Sequence, residues 1–348
     1  MLPELLSFMA REGVLERIRA LSVFGFDELC GSLHREPGYD FSRGNRRRML
    51  RTLIDLLVEC GWLEAARSGD RWSCRGDGTP VPGGGRADTG ESDGQVRFFR
   101  RCLRLAPGYL RGEESPIAFD AENVRVWEDF LGCEEFQACR SLLLDRMAST
   151  AGASPSLLDL CHGPGWGIER ALDRWPEARI TAIDFTDAFA ANARRRADQS
   201  GVRNAARNRP SSPVEWFGPS DWKGFVQPLP FPEGAFESVL FGCGDPYIRP
   251  DAREAVYADL RRVLAPGGTL GILTRGYPDP EHRHVPSYWP RITSFIHDFA
   301  ESVCAGWHGF PDVGESVEMF SRLGFRGGWS PGDAMSIMDS GLWILKKR

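Results

Sequence analysis

The stretch Ser156–Ile168, SLLDLCHGPGWGI, decides the fold of this chain of 348 residues. A short apolar run ends at Asp159, and three glycines then alternate with other residues before a helix that we predict to begin near Ile168. Glycines at such a turn let the backbone pass close to a ligand. The spacing differs from the GxGxxG dinucleotide fingerprint, and the sequence has no GxxxxGK[ST] phosphate loop. The stretch therefore predicts a strand, a glycine-rich turn and a helix, without the anion cradle that a phosphate needs.

Further strands and helices alternate after this turn. Arg179–Phe185 (RITAIDF) is a second predicted strand, and it carries Asp184 where a carboxylate can accept hydrogen bonds from both ribose hydroxyls of a nucleoside. The other predicted elements are a helix at Ala188–Ala197, strands at Pro213–Phe217 and Phe236–Gly242, a helix at Ala252–Val263 and a strand at Thr269–Thr274. This alternation implies a parallel, doubly wound sheet with its ligand at the carboxyl ends of the strands.

The succession resembles the class I S-adenosylmethionine-dependent methyltransferases. Four segments carry the resemblance over about Ser156–Arg275, in the order LLDLCHGPGWG, ITAIDF, LPFPEGAFESVLF and LRRVLAPGGTLGIL. With the helical region in front of it, the chain resembles bacterial small-molecule O-methyltransferases. The expected fold class is α/β: a Rossmann-like, doubly wound and mostly parallel methyltransferase sheet, preceded by an α-helical, winged-helix-like domain.

The N-terminal region predicts the winged-helix-like domain. Apolar residues recur at three- to four-residue steps over Leu2–Ala20, which indicates one buried helical face. Further helices are predicted at Phe26–Leu33 and from an Asn45 cap to a Gly61 stop, with wing strands at Trp62–Leu63 and Arg71–Cys74. Four arginines open the third helix, where a DNA-binding winged helix would contact the major groove, but acidic residues of the same region favour a solvated helix face.

Three regions are expected along the chain. Residues 1–95 form the winged-helix-like domain, and its glycine-rich segment 75–95 is a flexible linker. Residues 96–150 are bridging helices. Residues 151–348 form the methyltransferase-like catalytic domain, with a lid and substrate insertion at 276–310. The resemblance implies a homodimer through the N-terminal domain and leaves a heteromeric partner open.

The resemblance also implies a cofactor, S-adenosylmethionine or its product S-adenosylhomocysteine. Its implied contacts are Asp159, Gly163 and Gly165 around the methionine moiety, Asp184 on the ribose, Phe185 beside the adenine, and Ser220 or Asp221 at the adenine amino group. Cys161 stands at the first glycine of the family's turn and either points away from the ligand or narrows the pocket. His162 is expected to pack or to form hydrogen bonds. Cys243, after the fourth strand, is a further candidate for the cofactor site.

The catalytic base cannot be carried over from the resemblance. The related O-methyltransferases have a histidine after the fourth strand, whereas the corresponding segment here, Gly242–Arg249, has none. Asp245 is the first candidate for a base or a substrate contact, and Tyr247 could orient a polar substrate. His297, in a helix predicted at Arg291–Val303, is the third candidate. The alternative for Asp245 is that it only caps the next turn.

Composition limits the partners. The chain has 43 basic and 48 acidic residues and a net charge of −5, so we do not expect nucleic acid as a partner. No stretch reaches the roughly 18–20 apolar residues of a membrane span, and we expect a cytoplasmic protein without a membrane partner. Nine cysteines without a CxxC pair predict neither disulfides nor zinc. His282 and His284 are weak support for a metal, and none is expected.

Three functions follow from these patterns. The first is methyl transfer from S-adenosylmethionine to a small molecule, in bacterial natural-product biosynthesis. The second is a homologue that keeps the cofactor pocket but catalyses an elimination, a cyclisation or a ring closure. The third is a DNA-binding regulator that senses S-adenosylmethionine.

Overall fold

A computed structural model describes residues 1–66, 70–74, 94–149, 155–208, 214–278, 289–331 and 340–348. The chain divides into two compact units. The N-terminal unit combines Met1–Ala118 with Arg291–Gly309, and the sheet unit combines Phe119–Pro290 with Phe310–Arg348. This division differs from the predicted boundaries, because part of the expected bridging region and part of the expected insertion belong to the N-terminal unit.

The N-terminal unit begins with a small helical domain. Its first helices are α1 (Leu2–Arg11), α2 (Val14–Leu21), α3 (Phe26–Arg35), α4 (Gly44–Glu59) and α5 (Gly94–Leu110). Its strands β1 (Val23–Gly25), β2 (Leu63–Ala65) and β3 (Arg71–Cys74) form an antiparallel sheet in the order β1-β3-β2. The chain order from α2 to β3 fits the predicted winged-helix-like domain. Helix α5 already begins at Gly94, so the end of the predicted linker 75–95 is helical, and the rest of that linker lies outside the described residues.

Two details of this domain differ from the sequence prediction. The single helix predicted over Leu2–Ala20 is wrong, because Gly13 has a φ of +70° and divides it into α1 and α2. The Asn45 cap is also wrong, since α4 begins at Gly44. The Asn45 amide instead donates hydrogen bonds to the Tyr109 hydroxyl and the Ser302 carbonyl, each at 2.9 Å.

The arginines that open α4 are paired inside the N-terminal unit. Each contacts a carboxylate: Asp40 for Arg46, Asp27 for Arg47, Asp298 for Arg48 and Asp55 for Arg51. Arg46 is fully buried and also donates to the Glu113 carbonyl at 2.8 Å. These contacts compensate the positive charges that suggested DNA contacts.

The sheet unit contains a seven-stranded sheet. Its strands are β4 (Ser156–Leu160), β5 (Arg179–Ile183), β6 (Val214–Phe217), β7 (Phe236–Gly242), β8 (Leu264–Thr274), β9 (Phe325–Pro331) and β10 (Gly341–Lys347), in the spatial order β6-β5-β4-β7-β8-β10-β9. Strands β4 to β8 pair in parallel, and β10 pairs antiparallel with β8 and β9. The predicted Rossmann-like, mostly parallel sheet is confirmed. The two C-terminal strands were not predicted.

Helices cover this sheet. They include α6 (Val124–Leu131), α7 (Glu134–Ala148), α8 (Trp166–Arg174), α9 (Ala190–Ala206) and α10 (Arg253–Val263). Five of the seven residues of β7 are buried, as expected for a central strand with both faces covered. Because β4 and β5 are parallel neighbours, the residues that follow them lie at the same edge of the sheet.

The region of the predicted insertion contributes a helix to the N-terminal unit. Helix α11 (Trp289–Glu301) is buried throughout residues 293–300, and its Asp298 pairs with Arg48 and accepts a hydrogen bond from the Trp307 indole at 2.8 Å. The expectation of a substrate lid at 276–310 is therefore corrected for this part, which is core. Residues 279–288, with His282 and His284, lie outside the described residues. The chain then returns to the sheet unit through α12 (Val313–Arg322).

None of the helices in the described ranges is both long and apolar enough to span a membrane.

Candidate cofactor site

The turn between β4 and α8 passes close to its neighbours. Gly163 and Gly165 have φ values of +50° and +89°, which favour glycine. A Cβ atom on Gly165 would lie 2.6 Å from the Ala193 Cα atom in α9. A Cβ atom on Gly167 would lie 2.7 Å from Asp159 Oδ2. Glycine at positions 165 and 167 therefore allows a packing distance that no other residue permits.

Asp184 follows β5 and lies against this turn. Its Oδ2 atom accepts a hydrogen bond from the Gly163 N–H at 2.9 Å, and its Oδ1 atom accepts one from the Thr186 N–H at 3.2 Å. Burial raises the pKa of Asp184, and His162 and the backbone donors oppose that rise. A carboxylate has about four acceptor positions, so both oxygens of Asp184 can still accept hydrogen bonds from hydroxyl groups.

Asp159 and Arg140 line a narrow cavity next to the turn. The cavity has a volume of about 30 Å³, and its walls include Cys161, His162 and Gly163. The Asp159 Oδ2 atom is buried and has no hydrogen-bond partner among the described residues. Burial raises the pKa of Asp159 to about 7, which Arg140 opposes and Asp184 reinforces.

Arg140 was missed by the sequence analysis. It lies on the buried face of α7 with Phe136, Leu143 and Leu144. An arginine within an apolar helical stripe is the signal that could have identified it, because a buried guanidinium needs a partner.

Cys161 and Cys243 occupy equivalent places after β4 and β7. Their φ values are +55° and +63°, in the left-handed region. The Cys161 N–H donates to the Ile183 carbonyl at 2.8 Å, and the Cys243 N–H donates to the Leu273 carbonyl at 2.7 Å. Burial and the carboxylates of Asp159 and Asp184 raise the pKa of the Cys161 thiol. Cys161 therefore lines the cavity as a neutral thiol.

His162 has the packing and hydrogen-bonding role expected of it. Its Nδ1 atom lies 2.8 Å from the Gly163 carbonyl oxygen, which accepts the hydrogen bond. Its ring meets Trp216 edge-on, with centroids 5.4 Å apart. These two contacts fix the position of the His162 side chain against the turn.

The residues expected around the adenine lie after β5 and β6. The Phe185 ring packs edge-on against Phe119, with centroids 5.4 Å apart. The Asp221 Oδ2 atom accepts hydrogen bonds from the Gly218 N–H at 3.0 Å and from the Ser220 hydroxyl at 3.3 Å. Ser220 and Asp221 are both exposed, and their mutual contact orders the loop in which they lie.

Asp245 points toward α10. The Tyr257 hydroxyl donates a hydrogen bond to Asp245 Oδ1 at 2.5 Å, and the Arg253 Nε atom lies 3.7 Å from the same oxygen. Asp245 is 2% exposed. Burial and the Asp245 charge raise the pKa of Tyr257. Its hydroxyl therefore stays protonated and acts as the donor of this hydrogen bond. These contacts tie the loop after β7 to α10. They are not those of a cap, because no side-chain capping hydrogen bond forms at the turn Asp245–Tyr247, and a role of Asp245 as a base stays a prediction.

Tyr247 belongs to an aromatic cluster, and His297 lies elsewhere. The Phe119 ring stacks on Trp127 with centroids 4.7 Å apart and meets Tyr247 edge-on at 4.9 Å.

His297 lies on α11 in the N-terminal unit, where its Nδ1 atom is 3.3 Å from Glu301 Oε1. The three predicted catalytic residues are thus divided between the two units. No group of three metal-ligating side chains occurs in the part of the chain that the structure describes.

Comparison with known proteins identifies the sheet unit. The family model of a methyltransferase domain matches residues 157–268. Residues 157–268 are therefore similar in sequence to a methyltransferase domain. Demethylmenaquinone methyltransferase of Listeria monocytogenes (serotype 4a, strain HCC23) is 28% identical over 180 residues, which cover 49% of this chain and 69% of the relative.

Two solved structures share the fold of this chain. The CurJ carbon methyltransferase superposes with a TM-score of 0.64 at 14% identity, over 96% of this chain and 89% of that one. An O-methyltransferase family protein from Burkholderia thailandensis has a TM-score of 0.51 at 17% identity, over 99% and 95% of the two chains. The predicted class I methyltransferase resemblance is confirmed, and these identities support the fold alone.

The site fits the cofactor of the methyltransferase family, S-adenosylmethionine. Asp184 has acceptor positions for two ribose hydroxyls, and the buried Asp159 oxygen lacks a hydrogen bond that an ammonium group would supply. The turn between them contains no anion cradle, which agrees with a ligand that has no phosphate.

Proposed function

We propose that this chain transfers the methyl group of S-adenosylmethionine to a small molecule. The observation that carries the proposal is the hydrogen bond from the Gly163 N–H to Asp184 Oδ2, which joins the glycine turn to the acidic end of β5. Asp184 then holds the ribose, and Asp159 lies at the methionine end. The family match over residues 157–268 supports the same conclusion.

Catalysis in this proposal is mainly positioning. S-adenosylmethionine supplies an electrophilic methyl group on a sulfonium centre. The chain fixes the nucleoside through Asp184 and forms an apolar wall from Phe119, Phe185 and Tyr247, which are half-buried in the sheet unit. Holding two reactants in line and excluding water supplies a large part of the rate of such transfers.

The acceptor in this proposal needs little help from a base. The Asp245 carboxylate is held by Tyr257 and Arg253, which supports a role in positioning the loop that carries Tyr247. An amine or a stabilised carbanion reacts without the general base that a phenol or an alcohol requires. We assign the reaction to bacterial natural-product biosynthesis in the cytoplasm, by a homodimer formed through the N-terminal unit.

The decisive experiment measures both products. The chain is incubated with methyl-labelled S-adenosylmethionine and a panel of phenols, amines and 1,3-dicarbonyl compounds, and both products are quantified by mass spectrometry. Labelled product and S-adenosylhomocysteine in equal amounts are the expected result. A changed acceptor without S-adenosylhomocysteine would instead identify the elimination or cyclisation function.

The DNA-binding regulator has less support. The arginines of α4 that suggested it are paired with carboxylates of the N-terminal unit. Salt-dependent binding of the chain to mixed-sequence duplex DNA would support the regulator function.

A further inference from the structure

We propose that Arg196, on α9, is a positioning residue that holds α6 against the glycine turn through an ion pair with Glu128. The pair keeps Leu131, at the end of α6, on the wall of the cavity beside the turn. Arg196 itself is not part of that wall. The proposal rests on the proposed function, because it concerns the same cofactor site.

The Arg196 guanidinium contacts three elements at once. Its Nε atom donates to the Pro164 carbonyl, in the glycine turn, at 3.2 Å, and its Nη2 atom donates to the Glu128 carboxylate on α6. Its Nη1 atom lies 3.8 Å from Glu169 Oε2 on α8. The Arg196 side chain is 12% exposed, so salt screens its ion pairs less than it screens pairs at the surface.

The guanidinium also stacks on the first residue of α8. The Arg196 Cζ atom lies 3.3 Å from the centroid of the Trp166 ring. A planar guanidinium can stack on an aromatic face while the nitrogens at its edge form hydrogen bonds, which the ammonium group of lysine cannot do. The ring therefore orients the guanidinium toward Pro164 and Glu128.

Helix α6 packs directly against the turn that Arg196 contacts. A Cβ atom on Gly132, which ends α6, would lie 2.7 Å from Trp166 Cζ2. A Cβ atom on Gly163 would lie 3.8 Å from Leu131 Cδ1. Because Leu131 lines the cavity, a shift of α6 relative to the turn would move the cavity wall.

Glu128 joins α6 to α9 through further contacts. Its Oε2 atom accepts a hydrogen bond from the Asn192 amide at 2.9 Å, and the Arg195 Nη2 atom lies 3.4 Å from its Oε1 atom. Arg195 is 52% exposed, so its ion pair contributes little. Among the contacts that the structure describes, Arg196 is the partner of Glu128 that also reaches the turn, so its loss should loosen both sides of the cavity.

The test measures whether the two side chains act on the ligand as one unit. Calorimetry gives the affinity of the full chain for S-adenosylhomocysteine, and urea denaturation checks that each variant is folded. The variants are Arg196→Gln, Arg196→Lys, Glu128→Gln and the double variant with both glutamines. The matched control is Arg203→Gln, since Arg203 lies on the same helix and pairs with Glu169 and Asp173 of α8.

The expected result is a coupled loss of affinity. Arg196→Gln and Glu128→Gln should each weaken binding by about tenfold, because each removes the same charged hydrogen bond. The double variant should also lose about tenfold, whereas independent losses would multiply to about a hundredfold. Arg196→Lys should lose less than Arg196→Gln, because it keeps the charge opposite Glu128, and the control should stay within about threefold.

Three results would overturn the proposal and leave the proposed function standing. They are an affinity of Arg196→Gln within about threefold of the unaltered chain, independent losses in the double variant, and an equal loss in Arg203→Gln. The last of these would mean that any broken ion pair of α9 weakens binding through general destabilisation. If the unaltered chain does not bind S-adenosylhomocysteine, the proposed function fails and the role of Arg196 fails with it.

Discussion

The Gly163 N–H donates a 2.9 Å hydrogen bond to Asp184 Oδ2, which joins two residues 21 positions apart in the sequence. The bond forms because β4 and β5 are parallel neighbours, so the glycine turn after one strand meets the acidic residue after the other. It fixes the shape of the turn and leaves acceptor positions on Asp184 for a ligand. The cofactor site is built on this contact.

Gly165→Ala should lower the free energy of unfolding more than the same substitution at a glycine that has a similar φ but no close neighbours. Its φ is +89°, and the new Cβ atom would lie 2.6 Å from the Ala193 Cα atom. We expect a loss of about 2–4 kcal/mol, from backbone strain together with overpacking. Gly267→Ala is the matched control, because its φ is +73° with nothing within 4 Å, and it should lose about 1–2 kcal/mol. Urea denaturation gives both values, and equal losses would contradict the close packing of the turn.

Cys161→Gly should stabilise the fold slightly. The residue has a φ of +55°, and a non-glycine residue in this region costs about 1–2 kcal/mol, part of which is offset by loss of the buried thiol. The same substitution removes a side chain from the wall of the cavity, so the affinity for S-adenosylhomocysteine should rise or stay unchanged. A large loss of stability would show that the thiol contributes packing that outweighs the strain.

Asp245→Asn should retain methyl transfer within about tenfold. The Tyr257 hydroxyl can still donate to the amide oxygen, so the loop keeps its anchor. Tyr257→Phe removes that donor and should cost about 1–3 kcal/mol of stability, because a buried oxygen loses its hydrogen bond. Rates and urea denaturation check the two variants. A fall in rate of 10² or more for Asp245→Asn, with an intact fold, would identify Asp245 as a general base.

Asp159→Asn should stabilise the fold without ligand, and the gain should depend on pH. The pKa of Asp159 is raised from 3.8 to about 7, so its carboxyl favours the folded state most below pH 3.8 and loses that contribution as the pH rises through 7. Asparagine does not titrate. The advantage of the variant should therefore grow between pH 4 and 7 and level off above it.

The size of that gain has an upper limit on the order of 4 kcal/mol, at about 1.4 kcal/mol per pKa unit. Arg140 and Asp184 are the charged groups that act on Asp159, and both remain in the variant. The exposed Asp198 supplies the control Asp198→Asn, which should show no such pH dependence. A constant difference between pH 5 and 8 would contradict the raised pKa.

The sequence predicted the central strands well because their signals are local. Strand β7 has the predicted bounds Phe236–Gly242, and the turn before α8 has the predicted glycines. A short apolar run between turn residues is enough to predict a buried strand. The same local rules placed Asp184 at the end of β5.

The features that the sequence missed depend on tertiary contacts. The apolar stripe of α11 predicted a buried helix, but no local signal indicates that it packs in the N-terminal unit. The hydrogen bond from Tyr257 on α10 to Asp245 was also missed, because the two residues are 12 positions apart and their spacing does not show where either side chain points. Arg140 belongs to a helix that precedes every recognised motif, so only the fold brings it to Asp159.

The most direct test of the cofactor site is calorimetric titration of the full chain with S-adenosylhomocysteine, beside Asp184→Ala and the control Asp198→Ala. We expect micromolar binding by the unaltered chain and the control, and at least 100-fold weaker binding by Asp184→Ala, because two hydroxyl hydrogen bonds to a buried carboxylate are lost. Equal affinity of Asp184→Ala and the unaltered chain, or no binding by the unaltered chain, would contradict the site.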